Sequence, residues 1–348
     1  MTVINNIEID YISYEHNEIK DAIINNDPVE EKLHVVIVIS NACQYAIRYI
    51  LAKEFITRMQ KDETNIILYI VELAYADQKF QITNSDNSNH LQIRTKYPLW
   101  HKENMINIGV KKLLPSNWKA FAWIDADLEF ENTTWALDTL KILNGCKDIV
   151  QLFSHCVDMD ENKQTMGVFN SFCYKYTKKL PYCSTGINFW HPGYAFACTR
   201  KAYEKMGGIY DKAILGSGDN IMSYSFIEKG MKAISDKNHP NYIQSVKDFE
   251  NKVKKFRIGY VPGVILHHYH GSKKNRGYSE RWRILVDHKY DPYEHITYDE
   301  TGIIIPSEKC PQGLLDDILC YFDNRNEDEN IVVRDKELCI KVKKIDLK

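Results

Sequence analysis

The chain has 348 residues, 44% of them hydrophobic and 26% charged, enough for one large domain with a sizeable core. A formal net charge of −2 excludes a global polycation and so disfavours nucleic acid as a main partner. No run of about 18 or more apolar residues occurs, so no segment is expected to span a membrane.

Residues 1–31 are polar and acidic without a clear period, and are expected to form a peripheral N-terminal extension. Their opening stretch lacks the basic start and continuous apolar run of a secretory signal. Together with nine scattered cysteines and no CxxC pair, this predicts a reduced, soluble, cytoplasmic protein.

LHVVIVIS (33–40) is a near-continuous β-branched run, the pattern of a strand buried on both faces in a parallel sheet. The helical period of AIRYILAKEFITRM follows it. NIILYIVEL (65–73) predicts a second buried strand, and a polar loop around NSDNSNH comes next. LWHKENMINIGVKKLLP (99–115) predicts a helix that Pro115 helps to end, and FAWIDADLEF (121–130) a third strand. Strand and helix alternate, which argues a doubly wound α/β sheet whose ligands sit at the carboxyl ends of its strands.

Further on, TTWALDTLKIL predicts a helix and DIVQLFS a strand. Residues 156–190, rich in aromatics, Cys and Lys, resemble a substrate-facing insertion more than a core element. A strand running into a helix is expected over 193–208, a glycine turn opening a helix over 216–230, and a late strand ending in histidines over 259–271. PQGLLDDILCYF (311–322) predicts a short amphipathic helix that packs back on the domain.

Four places carry candidate chemistry. Asp125 and Asp127 stand one residue apart, so on an extended strand they share a face and repel. A divalent cation relieves that repulsion, and hard carboxylate oxygens suit Mn²⁺ or Mg²⁺; two solvated aspartates are the alternative. In HHYHGSKKNRGY, imidazoles suit a transition ion such as Mn²⁺, and strand alternation puts His268 and His270 on one face and points His267 away; a packed core histidine for His267 and a solvated basic loop for the rest are the alternatives. Lys273 and Arg276 follow, in a basic loop suited to phosphate oxygens. Asp219 in LGSGDN starts a helix, where a carboxylate acts either as a general base or as an ordinary cap. Glu72 ends the second strand, and Lys102 and Asn104 lie near a helix start.

The order of an acidic strand end, DxD, GxGD and HxxHG resembles that of GT-A-fold glycosyltransferases of the family-two-like kind, over residues 33–305. The stretch from Gly193 through GSGDN is similar to the acceptor-side module of β-1,4-galactosyltransferases and polypeptide N-acetylgalactosaminyltransferases. The resemblance implies a Rossmann-like, mostly parallel sheet flanked by helices, in a single catalytic domain over 32–305. Its nucleotide-binding half is 32–130 and its acceptor-side half 131–305, and 306–348 form a C-terminal extension. It also implies Mn²⁺ or Mg²⁺ held by Asp127 and His270 with help from Asp125, His268 being the alternative imidazole. Glu72, Lys102, Asn104, Asp125, His268, Lys273 and Arg276 would meet a nucleotide-sugar donor. Asp219 falls on the position of the catalytic base, and Gly218 replaces a Glu of that motif. Trp190, His191 and Tyr194 would form a platform for a glycan, protein or small-molecule acceptor, with core packing as the alternative for each. Transfer from a UDP-sugar with inversion, by a soluble enzyme of bacterial, phage or viral type, is what the resemblance implies as a whole. A metal-dependent phosphoesterase and a non-catalytic nucleotide-sugar-binding module are the rival readings.

Overall fold

A computed structural model describes residues 18–183, 189–277 and 280–329, and the backbone of a short hairpin, Thr2–Ile4 with Ile7–Ile9. The remainder of both extensions, and residues 184–188 of the expected insertion, lie outside the described residues.

The β-branched runs form the strands Leu33–Ser40 and Ile66–Tyr75, paired in parallel as interior strands of a seven-stranded sheet. Val35, Val36 and Ile37 are fully buried. Each such side chain contributes about 1.5–3 kcal/mol, so this pair is the rigid base on which the site is built. His90–Thr95 extends the sheet on one side; Ala120–Ile124, Ala195–Thr199, Ile149–Gln151 and Ile258–Tyr260 extend it on the other. Only Ala195–Thr199 runs against its neighbours. The α/β class and the mostly parallel central sheet are those expected.

Helices cover the sheet. The helix Lys102–Leu113 lies close against it because Gly109 has no side chain: a Cβ there would come within 2.9 Å of Val36 and Val71. That approach brings the start of the helix to the carboxyl edge of the strands. Among the described residues no helix is long and apolar enough to cross a membrane.

FAWIDADLEF is not one strand. The first half ends at Ile124 in the large sheet, and Leu128–Phe130 belongs to a second, five-stranded sheet. Asp125 and Asp127 sit in the turn between the two sheets, so strand alternation does not apply to them. The expected insertion is also more than a loop. It supplies His155–Met159 and Thr165–Ser171 to the second sheet, with Cys156 and Val157 fully buried.

The candidate active site

The second sheet pairs Leu128–Phe130 with Val264–His267, placing His267 opposite Leu128. The backbone N–H of His268 then donates to the Asp127 carbonyl at 2.9 Å, so the chain leaving the histidine strand runs beside the aspartate turn. The strand stops at His267, and with it the alternation that would have turned this residue away. As a result His267 and His270, not His268 and His270, converge on Asp127. Nε2 of His270 lies 3.0 Å from Asp127 Oδ2, and Nε2 of His267 lies 3.9 Å from the same oxygen. His268 points elsewhere, to Glu129 at 3.1 Å.

Ligand atoms of Asp127, His267 and His270 all lie within 4.8 Å of one another, close enough for the three to hold one metal ion. Asp127 Oδ1 is buried and has no hydrogen-bond partner among the described residues, an expensive arrangement unless something else fills it. One carboxylate and two imidazoles suit Mn²⁺, so the donor set fits the cation.

The aspartate repulsion is resolved by giving the two carboxyls different surroundings. Burial alone would raise Asp127, but the His270 hydrogen bond and the charges of His270, His267 and Arg276 hold it well below the usual carboxylate range. Burial pushes Asp125 up, and Asp127 and Asp219 add to this against the pull of Lys102, with which Asp125 is ion-paired. Asp125 is not part of the three-residue cluster.

One cleft is lined by Lys102, Asp125, Asp127, His191, Tyr194, Asp219, His270 and Arg276, so eight of the sequence-derived candidates share a cavity. Asp219 reaches it from the start of the helix Gly218–Phe226. Its carboxylate lies against Gly193, where any Cβ would come within 2.4 Å of Oδ2. Ser217, just before it, has φ of 71°, a left-handed conformation costing a non-glycine residue on the order of 1–3 kcal/mol. Arg281 donates to the Ser217 hydroxyl and helps hold it there. Tyr194 has a similar φ of 81° and is held by stacking: His191 at 3.9 Å on one side and His267 at 4.6 Å on the other. His191 and Tyr194 therefore wall the metal-ligand cluster as well as the cleft.

Five candidates stand outside the lining. The Glu72 carboxylate accepts from the backbone of Gln81, Ile82 and Thr83 and fixes that loop. Asn104 is buried and ties down Gly302 and Ile304. Trp190 packs on Phe172 and Tyr182 and donates to the Pro181 carbonyl. Lys273 pairs with Asp158, and His268 with Glu129.

Sequence reasoning missed His267, Glu103, Arg48, Arg325 and Glu327, all of which line the cleft. Glu103 is buried beside Gly218, and burial pushes its carboxyl up to about 8. Glu327 comes from the segment after the helix Gln312–Asn324, which does pack back on the domain as expected. It accepts from Arg48 Nη2 at 2.8 Å, pairs with Arg325 at 2.7 Å, and lies 3.7 Å from His270 Nδ1. No motif marks it, because its importance comes from docking and not from its neighbours in sequence.

No protein-family model matches the chain, and no curated protein does. Similar solved structures are glycosyltransferases. The catalytic domain of Drosophila β1,4-galactosyltransferase 7 with xylobiose is 10% identical over 80% of this chain and 95% of that one, with a TM-score of 0.35. A mutant of that enzyme with manganese, UDP-Gal and xylobiose is 10% identical over 79% and 94%, also at 0.35. A mannosyltransferase from Pyrobaculum calidifontis with GDP-Man and Mn²⁺ is 11% identical over 85% and 71%, at 0.42. At these scores the likeness says nothing of chemistry, which has to come from the chain's own side chains.

Proposed function

We propose that this chain is a divalent-metal-dependent glycosyltransferase that moves a sugar from a nucleoside diphosphate, a UDP-sugar in the first instance, to a hydroxyl with inversion. The observation that carries this reading is the placement of Asp127, His267 and His270, with an unpartnered carboxylate oxygen, in the same cleft as Asp219. Asp127 and the two imidazoles would hold Mn²⁺ or Mg²⁺. Such an ion, when bound, supplies positive charge against the negative charge that builds on a leaving diphosphate. Arg276, within 2.9 Å of His270, and Lys102, paired with Asp125, bring fixed cations to the same cavity and can meet phosphate oxygens directly. Asp219 would accept the acceptor's proton as its oxygen attacks the anomeric carbon. No second carboxylate is assigned as a nucleophile, which favours a single inverting displacement. Tyr194 and His191 would bound the space left for the acceptor.

Calorimetry with UDP-Gal and GDP-Man, with and without Mn²⁺, tests the reading on wild type, Asp127→Ala and Asp219→Asn. Metal-dependent donor binding should vanish in Asp127→Ala. In Asp219→Asn it should survive while transfer drops by at least about 100-fold. Metal-independent binding, or normal transfer by Asp219→Asn, would sink the respective assignment. Donor binding without turnover on any acceptor would point instead to a binding module, and phosphate release from a simple diester to an esterase.

A further inference from the structure

His267 is constrained on every side but one. Tyr194 stacks on its face at 4.6 Å and 25°, and His270 meets it edge-on at 5.3 Å and 78°. Its Nδ1 lies 2.6 Å from Asp158 Oδ1, a short contact between two side chains that are 3% and 1% exposed. The other Asp158 oxygen is ion-paired with Lys273 from the basic loop. The one vertex left over is Nε2, which faces Asp127.

A neutral imidazole carries one N–H, and the nitrogen that donates determines which nitrogen keeps a lone pair. A carboxylate can only accept, so the contact with Asp158 places the hydrogen on Nδ1 and leaves Nε2 bare. Only a bare nitrogen can ligate a cation. Asp158 is not itself among the residues that line the cleft; it comes from the strand His155–Met159, beside the histidine strand in the second sheet.

We propose that Asp158 is a positioning residue for the metal centre, fixing His267 in the tautomer and orientation that present Nε2 beside Asp127. The inference rests on the metal-dependent reading above and adds a residue that acts on the ion only through His267. It also gives Lys273 a place in the site: locking Asp158 from behind, not touching phosphate. The pattern is the general one in which a buried carboxylate orients a ligating histidine, and loss of such a partner weakens metal binding by about 10–100-fold.

The test is a double-mutant cycle on the full chain, read by Mn²⁺ calorimetry and by the visible spectrum of bound Co²⁺. Asp158→Ala should weaken Mn²⁺ binding about 10–100-fold and alter the Co²⁺ bands. Asp158→Asn, which keeps an acceptor oxygen and the side-chain size, should fall between that variant and wild type. In a His267→Ala background, Asp158→Ala should cost nothing further, because the residue through which it acts is gone. Equal losses in both backgrounds, or no loss in the wild-type background, would overturn the proposal. Melting curves of the metal-free proteins identify any variant that fails to fold, in which case the Asp158→Asn arm of the same cycle decides. If wild type itself binds no Mn²⁺, the metal-dependent reading falls, and this inference with it. Binding by wild type with no loss in the variants overturns this inference alone.

Discussion

Glu103 shows how a single residue can be hidden from motif reading. Its carboxyl occupies the space beside Gly218: a Cβ on that glycine would stand 2.7 Å from Glu103 Cδ and Oε1. The GSGD turn is thus glycine at this position because another helix delivers a carboxyl there. Burial pushes that carboxyl up to about 8, with Lys102 pulling the other way. A carboxyl whose pKa is raised in the fold binds its proton more tightly folded than unfolded. Its contribution to stability is complete below the ordinary value and is lost as pH rises through about 8. Wild type should therefore lose melting temperature relative to Glu103→Gln as pH is raised from acid toward about 8, which thermal melts across that range would read. Parallel curves for the two proteins would show that the Glu103 proton is not linked to folding. Legibility at this scale was uneven for a physical reason. Asp127, His270 and Asp219 carry local patterns and could be found in sequence, whereas His267 was misplaced by one register error. Strand alternation holds only within a strand, and this strand ends at His267 itself.

Elements were more legible than side chains, because burial on both faces writes itself into composition. The strands Leu33–Ser40 and Ile66–Tyr75 and the helices Ala46–Asp62, Lys102–Leu113 and Gln312–Asn324 all follow from apolar pattern. The strand His90–Thr95, which begins where the polar NSDNSNH stretch ends, carries no clear strand signal because its run HLQIRT lies at the sheet edge, where one side is unpaired and composition is weak evidence. One element boundary carries an energetic consequence. The helix Ala46–Asp62 is preceded at its cap position by Tyr45, whose side chain makes no capping hydrogen bond. Asp328 supplies the missing acceptor, taking the N–H groups of Ala46 at 2.8 Å and Ile47 at 3.1 Å, and its charge suits the helix start. Asp328→Ala should cost about 0.5–2 kcal/mol, the range for losing a good cap. A denaturant midpoint shifts by that amount if the C-terminal segment truly caps this helix, and stays put if it does not.

For the molecule as a whole, the site is a junction: the large sheet ends at Ile124, the turn that follows brings Asp125 and Asp127, and the second sheet brings His267. An ion held by residues around such a junction should tie the two sheets together. Mn²⁺ at about 100 times its dissociation constant should stabilise the fold by about 2.7 kcal/mol. The rise in melting temperature should disappear with chelator and in Asp127→Ala, and a rise that persists in that variant would place the stabilising ion elsewhere. The C-terminal segment adds a consequence in time. Asp127 and Glu327 are 200 positions apart, an interval the ribosome needs roughly 10–40 s to cover. Throughout it, Arg48 lacks the carboxylate that pairs with it, and the helix starting at Ala46 lacks its acceptor. The cationic side of the cleft is therefore finished only after the strands of both sheets have been synthesised.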